Sequence, residues 1–270
     1  MFKNLSLKVI IFGFIFTFFS SFGQSFFIGL FNSSIRETLS ISHGQFGTIY
    51  ASATLCSSLL VIWIGKKIDD VNVLKFAIFV TILLSFSSFF FSKISSVVFL
   101  FVAIFLMRFS GQGMMSHTAS TTISRYFTKS RGRALSMIWF GLSSAEFILP
   151  VLIVYSLTLM AWQNIWIIIS ISVLIILPLA SYFLVKDVKL DTRETDQDAK
   201  FKEEKIKQWK RIEVLRDYRF YIISLNMLAM PWIATGVFVY QSFIVNSKGW
   251  GEYTICLLYT SPSPRDTPIS

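Results

Sequence analysis

The chain has 270 residues, of which 54% are hydrophobic and only 15% are charged, whereas about a quarter of a typical soluble domain is charged. Together with a mean hydropathy of +0.63, this composition excludes an ordinary soluble domain. The net charge of +10 would suit nucleic acid, but the positions of the basic residues argue against that partner. The two cysteines suggest no disulfide framework or metal site.

Seven apolar runs have about the length that a helix needs to cross a bilayer, roughly 20 residues. They do not alternate every second residue, as the strands of a membrane barrel do. The 29 phenylalanines are expected to face lipid. We therefore predict an all-α polytopic membrane protein whose spans are residues 8–31, 45–64, 76–92, 96–118, 134–160, 163–185 and 219–245.

The basic residues before span six lie mainly on one side of the predicted membrane. Nine of them lie before or at the start of span one, between spans two and three, or between spans four and five, whereas the opposite loops contain only Arg36 and Lys93. Because basic loops stay in the cytoplasm, we expect a cytoplasmic N-terminus. The basic excess is therefore a signal of membrane orientation, and no nucleic-acid partner is expected.

The composition changes after span six, where residues 186–218 are densely charged. A three-residue spacing of apolar side chains in this loop predicts one stripe of a helix. That helix either lies on the membrane surface or is a frayed part of a solvated linker. The stripe consists of Ile206, Trp209, Ile212 and Leu215.

The last segment, residues 256–270, reads CLLYTSPSPRDTPIS. It resembles the in-frame translation of a transposase-end sequencing adapter. We therefore expect the natural sequence to depart from the printed one near Ile255, and the chain to be the front part of a longer protein.

The loop after span two, GKKIDDVNVLK, resembles a signature of the major facilitator superfamily. That signature is a glycine, an aspartate four residues later and then a basic run, and Gly65 and Asp69 match its first two features. The resemblance implies a gating role for both residues. We expect Asp69 to contact the basic loop between spans four and five, at Arg125, Arg131 or Arg133.

Span four resembles the Arg-and-glycine motif of the same superfamily through Arg108, Gly111 and Gly113. The resemblance implies two six-helix halves, so residues 1–185 would form the first half and residues 219–255 would begin the second with its first helix. It also implies that spans one, two, four and five line the central cavity. Three segments resemble the monocarboxylate and oxalate/formate branch: residues 34–55, 124–137 and 218–250.

Two charges lie near the middle of predicted spans. Arg108 is about midway along span four, where an arginine costs about 2.5–3.5 kcal/mol to insert. Glu146 is about midway along span five, which is antiparallel to span four. The two residues are expected to form an ion pair or to share a substrate. Desolvation disfavours a charged carboxylate, so Glu146 is also a candidate to bind a coupling proton.

Four uncharged polar residues could complete a substrate site with Arg108 and are listed here: Gln24, Tyr50, Thr54 and Gln112. Their alternative role is hydrogen bonding between helices, which is common in membranes. Gly111 and Gly113 are expected to let helices approach closely. His117 is either a group that binds protons or, more simply, a packing residue.

The expected function is secondary active transport of a small solute by alternating access, with an organic anion favoured because guanidinium binds carboxylates bidentately. The alternative is multidrug or cation efflux, with Glu146 as the counter-ion of the substrate. A membrane-embedded enzyme or a receptor is less consistent with the sequence, which has no clustered acid, base or metal set. No cofactor is expected, and the complete protein is expected to be a monomer in a bacterial inner membrane.

Overall fold

The computed structural model describes residues 2–69, 71–127, 130–186, 188 and 211–250. For residues 2–5, Asp69, Arg211 and Met230 it describes the backbone alone. The described residues form helices and turns, with no strand among them. The predicted all-helical fold is therefore confirmed.

Seven helical segments are long and apolar enough to cross a membrane, which confirms the number of predicted spans. In chain order, spans one to seven are Ser6–Gly29, His43–Ile68, Val73–Ser92, Val97–Tyr126, Arg131–Leu159, Trp162–Val185 and Tyr218–Val239. We call the end of the bundle at which span one begins the N end, and the opposite end the far end.

Within the described residues the chain forms twelve α-helices, two 3₁₀ turns and one π-helical segment. The α-helices are α1 (Phe2–Ser20), α2 (Ser25–Gly29), α3 (Asn32–Leu39), α4 (His43–Ile64), α5 (Val73–Ser92), α6 (Val97–Met107), α7 (Ser116–Tyr126), α8 (Arg131–Leu159), α9 (Trp162–Val185), α10 (Arg211–Arg216), α11 (Tyr218–Val239) and α12 (Gln241–Ser247). Three of these α-helices (α3, α10 and α12) lie outside the spans.

Span one is a broken helix. A 3₁₀ turn over Ser21–Gly23 follows α1, and Gln24 is extended, with φ −81° and ψ 156°, before α2 begins. A break of this kind leaves backbone groups without their helical partners, and in a membrane these groups must bond to neighbouring elements. The break therefore creates hydrogen-bonding positions inside the bundle.

Span four has an irregular centre that faces the break. Between α6 and α7 the residues Arg108–Met115 form a π-helical segment. Such segments are rare and are frequently found at functional sites. The segment includes Arg108 and both glycines of the predicted motif, so irregular backbone occurs in spans one and four together.

Gly23 and Gly111 bring these two irregular segments into backbone contact. A Cβ added to Gly111 would lie 2.7 Å from both Cα and N of Gly23, and a Cβ on Gly23 would lie 2.6 Å from the backbone nitrogen of Gln112. Only glycine fits at such a contact. The predicted role of Gly111 in close helix approach agrees with this geometry, and Gly113 similarly packs against Val61 of span two.

Two serines join spans three and six. The hydroxyl of Ser85 donates to the carbonyl of Ser170 at 2.9 Å, and the hydroxyl of Ser170 donates to the carbonyl of Ser85 at 2.8 Å. The two Oγ atoms are 3.1 Å apart. Both side chains are buried, so this reciprocal pair links α5 to α9 in the interior of the bundle.

Many phenylalanines lie in the core, so the expectation that they all face lipid is wrong. Trp166 is at the centre of one aromatic cluster, with its ring centroid 4.3 Å from Phe91, 5.1 Å from Phe31 and 5.5 Å from Phe27. Ring pairs at such separations stabilise a core beyond simple burial. Seven phenylalanines are fully buried: Phe12, Phe16, Phe26, Phe27, Phe31, Phe46 and Phe91.

Span seven packs against spans one and two at the far end. Gln241 Nε2 donates to the carbonyl of Phe26 at 2.9 Å, and the Tyr240 hydroxyl donates to the carbonyl of His43 at 3.2 Å. Asn32 Nδ2 donates to the carbonyl of Val239. These bonds connect the far ends of the two segments that the sequence assigns to different halves.

Two predicted segments are mostly outside the described residues. Of the predicted helical stripe, only Ile212 and Leu215 lie in a described element, the short helix α10, and both are exposed. The segment at residues 256–270 lies entirely outside the described residues. The amphipathic helix and the adapter origin of residues 256–270 therefore remain predictions.

Candidate functional site

Arg108 is bound to the break in span one. Its Nη1 donates to the carbonyl of Gly23 at 3.1 Å and lies 3.2 Å from the hydroxyl oxygen of Ser25. The carbonyl of Gly23 is available because Gln24 is extended and the helix stops there. Arg108 is only 5% exposed, so these contacts replace part of its hydration.

One edge of the Arg108 guanidinium has no partner among the described residues. Nη1 is on the Cδ side of the guanidinium, so Nε–H and Nη2–H point together along the other edge, which is suited to bidentate binding. Nε is closed off from solvent and has no hydrogen-bond partner. Within the described part of the chain, Nη2 donates no hydrogen bond and no carboxylate forms an ion pair with Arg108. The charge is therefore buried without a counter-charge.

Tyr50 lies beside Arg108, as expected for a member of the same polar lining. The Arg108 Cζ is 5.5 Å from the centroid of the Tyr50 ring, a distance at which a cation is attracted to the ring face. The Tyr50 hydroxyl donates to Ser25 Oγ at 3.0 Å. Tyr50, Ser25 and Arg108 thus form one connected group across spans one, two and four.

Thr54 is one helical turn after Tyr50 on α4. Its hydroxyl oxygen is buried and has no hydrogen-bond partner. A hydroxyl normally bonds to the carbonyl four residues earlier when it lacks another partner in a helix. A buried hydroxyl without a partner among the described residues, one turn from Tyr50, is compatible with the predicted lining role, which no contact tests directly.

Gln24 and Gln112 lie close to the group through their backbones. Gln24 follows Gly23 directly, and the backbone of Gln112 packs against Gly23. Both side chains are partly buried, and neither makes a side-chain hydrogen bond within the described residues. Their substrate-binding role remains a prediction.

Glu146 does not pair with Arg108. It is partly buried in α8, and it forms no ion pair or hydrogen bond with any described residue. The expected direct ion pair is therefore wrong, because the guanidinium bonds instead to the carbonyl that the break in span one exposes. The other expectation, a substrate shared by the two charges, is not tested by these contacts.

The turn that follows α4 at the N end is bound to span four. It is a 3₁₀ turn over Gly65–Asp69. His117 Nε2 bonds to the carbonyl of Gly65 at 2.9 Å. Arg125 Nη1 donates to the carbonyl of Ile68 at 3.2 Å. A side chain from span four thus bonds to each end of the turn. For His117 this favours the packing role.

The gating contacts predicted for Asp69 remain predictions, because its side chain lies outside the described residues. Among its three predicted partners, Arg125 is at the turn that contains Asp69. Arg131 and Arg133 are exposed in the first turn of α8.

Two features of the site were not expected from the sequence. The sequence did not indicate Gly23 and Ser25 as partners of Arg108, although Ser25 is a polar residue next to Gln24 in an apolar run. The π-helical segment could not be recognised either, because hydropathy reports which residues are apolar and not which carbonyl each backbone N–H bonds to. Among the described residues, no three His, Cys, Asp or Glu side chains are grouped as metal ligands would be.

Comparison with known proteins agrees with the resemblance at the level of the family. No curated protein sequence matches the chain significantly. The family model of the Major Facilitator Superfamily matches residues 13–263, a range that ends within the segment 256–270. The match includes spans two to seven, span one from residue 13 onward and every residue of the Arg108 group. The chain therefore belongs to the Major Facilitator Superfamily, whose members are membrane transporters.

Proposed function

We propose that this protein is a secondary active transporter of a small organic anion and that Arg108 binds the anionic group. The observation that carries the proposal is the unpaired Nε–Nη2 edge of a guanidinium that is 5% exposed. A planar edge with two donors matches the two oxygens of a carboxylate. In membranes, charged residues within spans are rare and mark substrate or ion pathways.

The broken backbone around Arg108 supports the same site. In many transporters, substrates bind near the midplane at discontinuous helices, where backbone groups freed from the helix are available. Here the break at Gly23–Gln24 and the π-helical segment at Arg108–Met115 are in contact. Nε is closed off in this conformation, so a ligand reaches it only after the site opens, as alternating access requires.

Tyr50, Thr54, Gln24 and Gln112 complete the proposed substrate site. The unpaired hydroxyl of Thr54 supplies a donor and an acceptor for a polar group next to the substrate's carboxylate. The resemblance to the monocarboxylate and oxalate/formate branch supports a small carboxylate as the substrate class.

Glu146 is proposed to bind the coupling proton. A carboxyl group that is partly buried within a span, without an ion-pair partner among the described residues, is favoured in its neutral form and can bind and release a proton during a cycle. In the alternative, multidrug or cation efflux, Glu146 would instead be the counter-ion of a cationic substrate.

The N end is proposed to be cytoplasmic, in a bacterial inner membrane, because the basic residues of the sequence are concentrated there. The turn at Gly65–Asp69, with Arg125, Arg131 and Arg133, is proposed to form the gate at that end. We further propose that residues 1–185 form the first half of a monomeric two-half transporter and that residues 219–255 begin the second.

The anion proposal is tested by Arg108→Lys and Arg108→Gln. Because the family's transporters have two halves, uptake is measured in a protein that has both, recovered by extending the source DNA past residue 255. The assay compares radiolabelled carboxylates (acetate, lactate, oxalate, succinate) with cations (ethidium, tetraphenylphosphonium) in proteoliposomes. Uptake of the preferred carboxylate is expected to fall about tenfold in Arg108→Lys and about a hundredfold in Arg108→Gln.

Arg219→Gln is the matched control, since it removes an exposed guanidinium from span seven and should leave uptake unchanged. Full uptake in Arg108→Gln would end the anion proposal. Transport of the cations but of none of the carboxylates would favour the efflux alternative.

The proton proposal is tested by Glu146→Gln in the same vesicles. The variant should lose accumulation driven by a proton gradient but keep exchange of internal for external substrate. If the gradient still drives accumulation in Glu146→Gln, the carboxyl group does not carry the coupling proton.

A further inference from the structure

A polar cavity lies at the far end of the bundle, remote in the sequence from the Arg108 group. Its volume is about 620 Å³, within the range of small-molecule sites. Its walls come from α3, the end of α8, the start of α9 and helix α12. The cavity thus has first-half residues on one wall and residues after span seven on the other.

Several polar side chains in the cavity wall have no protein partner. Within the described part of the chain, five of them make no side-chain hydrogen bond or ion pair. The five side chains are Ser33, Ser34 and Glu37 of α3, and Ser242 and Asn246 of α12.

The charge of the cavity is negative. Glu37 is the one ionisable side chain among the residues that line it. The neighbouring Arg36 is engaged elsewhere, because its Nε donates to Asn32 Oδ1 at 2.8 Å. Arg36 does not line the cavity, and Glu37 forms no ion pair with any described residue. A carboxylate in a cleft attracts cations and repels anions, so this cavity does not suit the anion proposed for Arg108.

The remaining wall is aliphatic and aromatic. Leu30, Val154, Leu157 and Val245 contribute apolar surface, and the buried Trp162 closes one side, with its Nε1 bonded to Thr38 Oγ1 at 3.4 Å. An apolar wall favours a hydrocarbon chain, and the hydroxyl and amide oxygens accept hydrogen bonds from an ammonium group.

We propose that this cavity is a binding site for a small organic ammonium ion with a short aliphatic chain. Glu37 binds the charged nitrogen, the unpaired oxygens of α3 and α12 accept its remaining hydrogen bonds, and the aliphatic wall receives the chain. An ion bound between α3 and α12 stabilises the far-end contacts of Asn32 and Gln241 with their carbonyl partners. By population shift, it would hold the far end closed.

The test is calorimetric titration of the purified full chain in detergent with n-pentylammonium, with the heat of titrating empty micelles subtracted. Pentanol and pentanoate have the same chain length and differ in charge, so they separate the charge from apolar partitioning. Pentylammonium is expected to bind one per chain, at least about tenfold more tightly than either analogue, because a charge-assisted bond to Glu37 is lost in both.

Glu37→Gln keeps the shape of the side chain and removes its charge, and it should weaken pentylammonium binding about tenfold or more. Glu37 is exposed, so folding is expected to survive, which size-exclusion chromatography checks. Glu213→Gln removes a carboxylate from α10 and should leave binding unchanged. Absence of binding, equal binding of pentanol, or equal weakening in both variants would each overturn the site. These measurements do not involve Arg108, so the ammonium site can fail or hold independently of the anion proposal.

Discussion

Replacing Gly111 by alanine is expected to separate spans one and four where they touch. The added Cβ would be 2.7 Å from Cα and N of Gly23 and 3.3 Å from the carbonyl oxygen of Ser20. All three are backbone atoms, which cannot rotate away as the end of a side chain can. The break in span one must therefore move, and with it the Gly23 carbonyl that accepts from Arg108.

The loss of stability in Gly111→Ala follows from overpacking. Extra methylene groups in a well-packed interior cost about 1–3 kcal/mol, and backbone obstruction places Gly111→Ala toward the upper end of that range. At about 2–4 °C per kcal/mol for a domain of this size, the midpoint of thermal unfolding should fall by roughly 5–10 °C. Displacement of the Gly23 carbonyl should also weaken substrate binding.

The assay is thermal unfolding of purified variants in the same detergent, followed by size-exclusion chromatography. Gly236→Ala is the matched control, since a Cβ at this position in α11 meets nothing within 4 Å, and a helical glycine-to-alanine change is stabilising by about 0.5–1 kcal/mol. A Gly111→Ala midpoint at or above that of the control would refute the argument from backbone contact.

The Ser85–Ser170 pair and the His117–Gly65 bond each give a further prediction. Ser85→Ala should cost about 0.6 kcal/mol, the average for hydrogen bonds between membrane helices, whereas Ser172→Ala, whose hydroxyl bonds only within α9, should cost less. Equal thermal midpoints for the two serine variants would argue against the reciprocal pair. His117→Ala should loosen the turn after α4 and expose a cysteine placed at Lys66 to faster maleimide labelling. Labelling at the unaltered rate would show that the Gly65 bond does not hold the turn.

The number of membrane spans and their helical structure could be predicted from the sequence, because bilayer thickness sets the length of the apolar runs. Span four was predicted at residues 96–118 and extends to Tyr126, since its polar last turns lie beyond the apolar run. The same physics made Arg108 a candidate site residue, because a guanidinium is costly in an apolar run. Tyr50 was a candidate because it is a polar residue in span two, which the family resemblance implies to line the central cavity.

The partners of these residues could not be predicted in the same way. Hydropathy does not detect a break at Gln24, because the apolar runs before Ser20 and after Ser25 together read as one span of the expected length. The choice of Arg108 between Glu146 and the Gly23 carbonyl depends on tertiary geometry, and the pattern of charges favoured the wrong partner. The expectation for phenylalanine failed for a related reason: an interior and a lipid tail are equally apolar, so composition does not distinguish a buried Phe91 from an exposed Phe86.

The reciprocal serine pair also constrains the order in which the chain can assemble. Ser85 and Ser170 are 85 residues apart, so when span three enters the bilayer during synthesis, its partner has not yet been made. Until span six arrives, the Ser85 hydroxyl must bond within its own helix or to a transient neighbour. The contact that joins α5 to α9 is therefore one of the last in residues 1–185 to form, and packing of these spans must wait for the sixth.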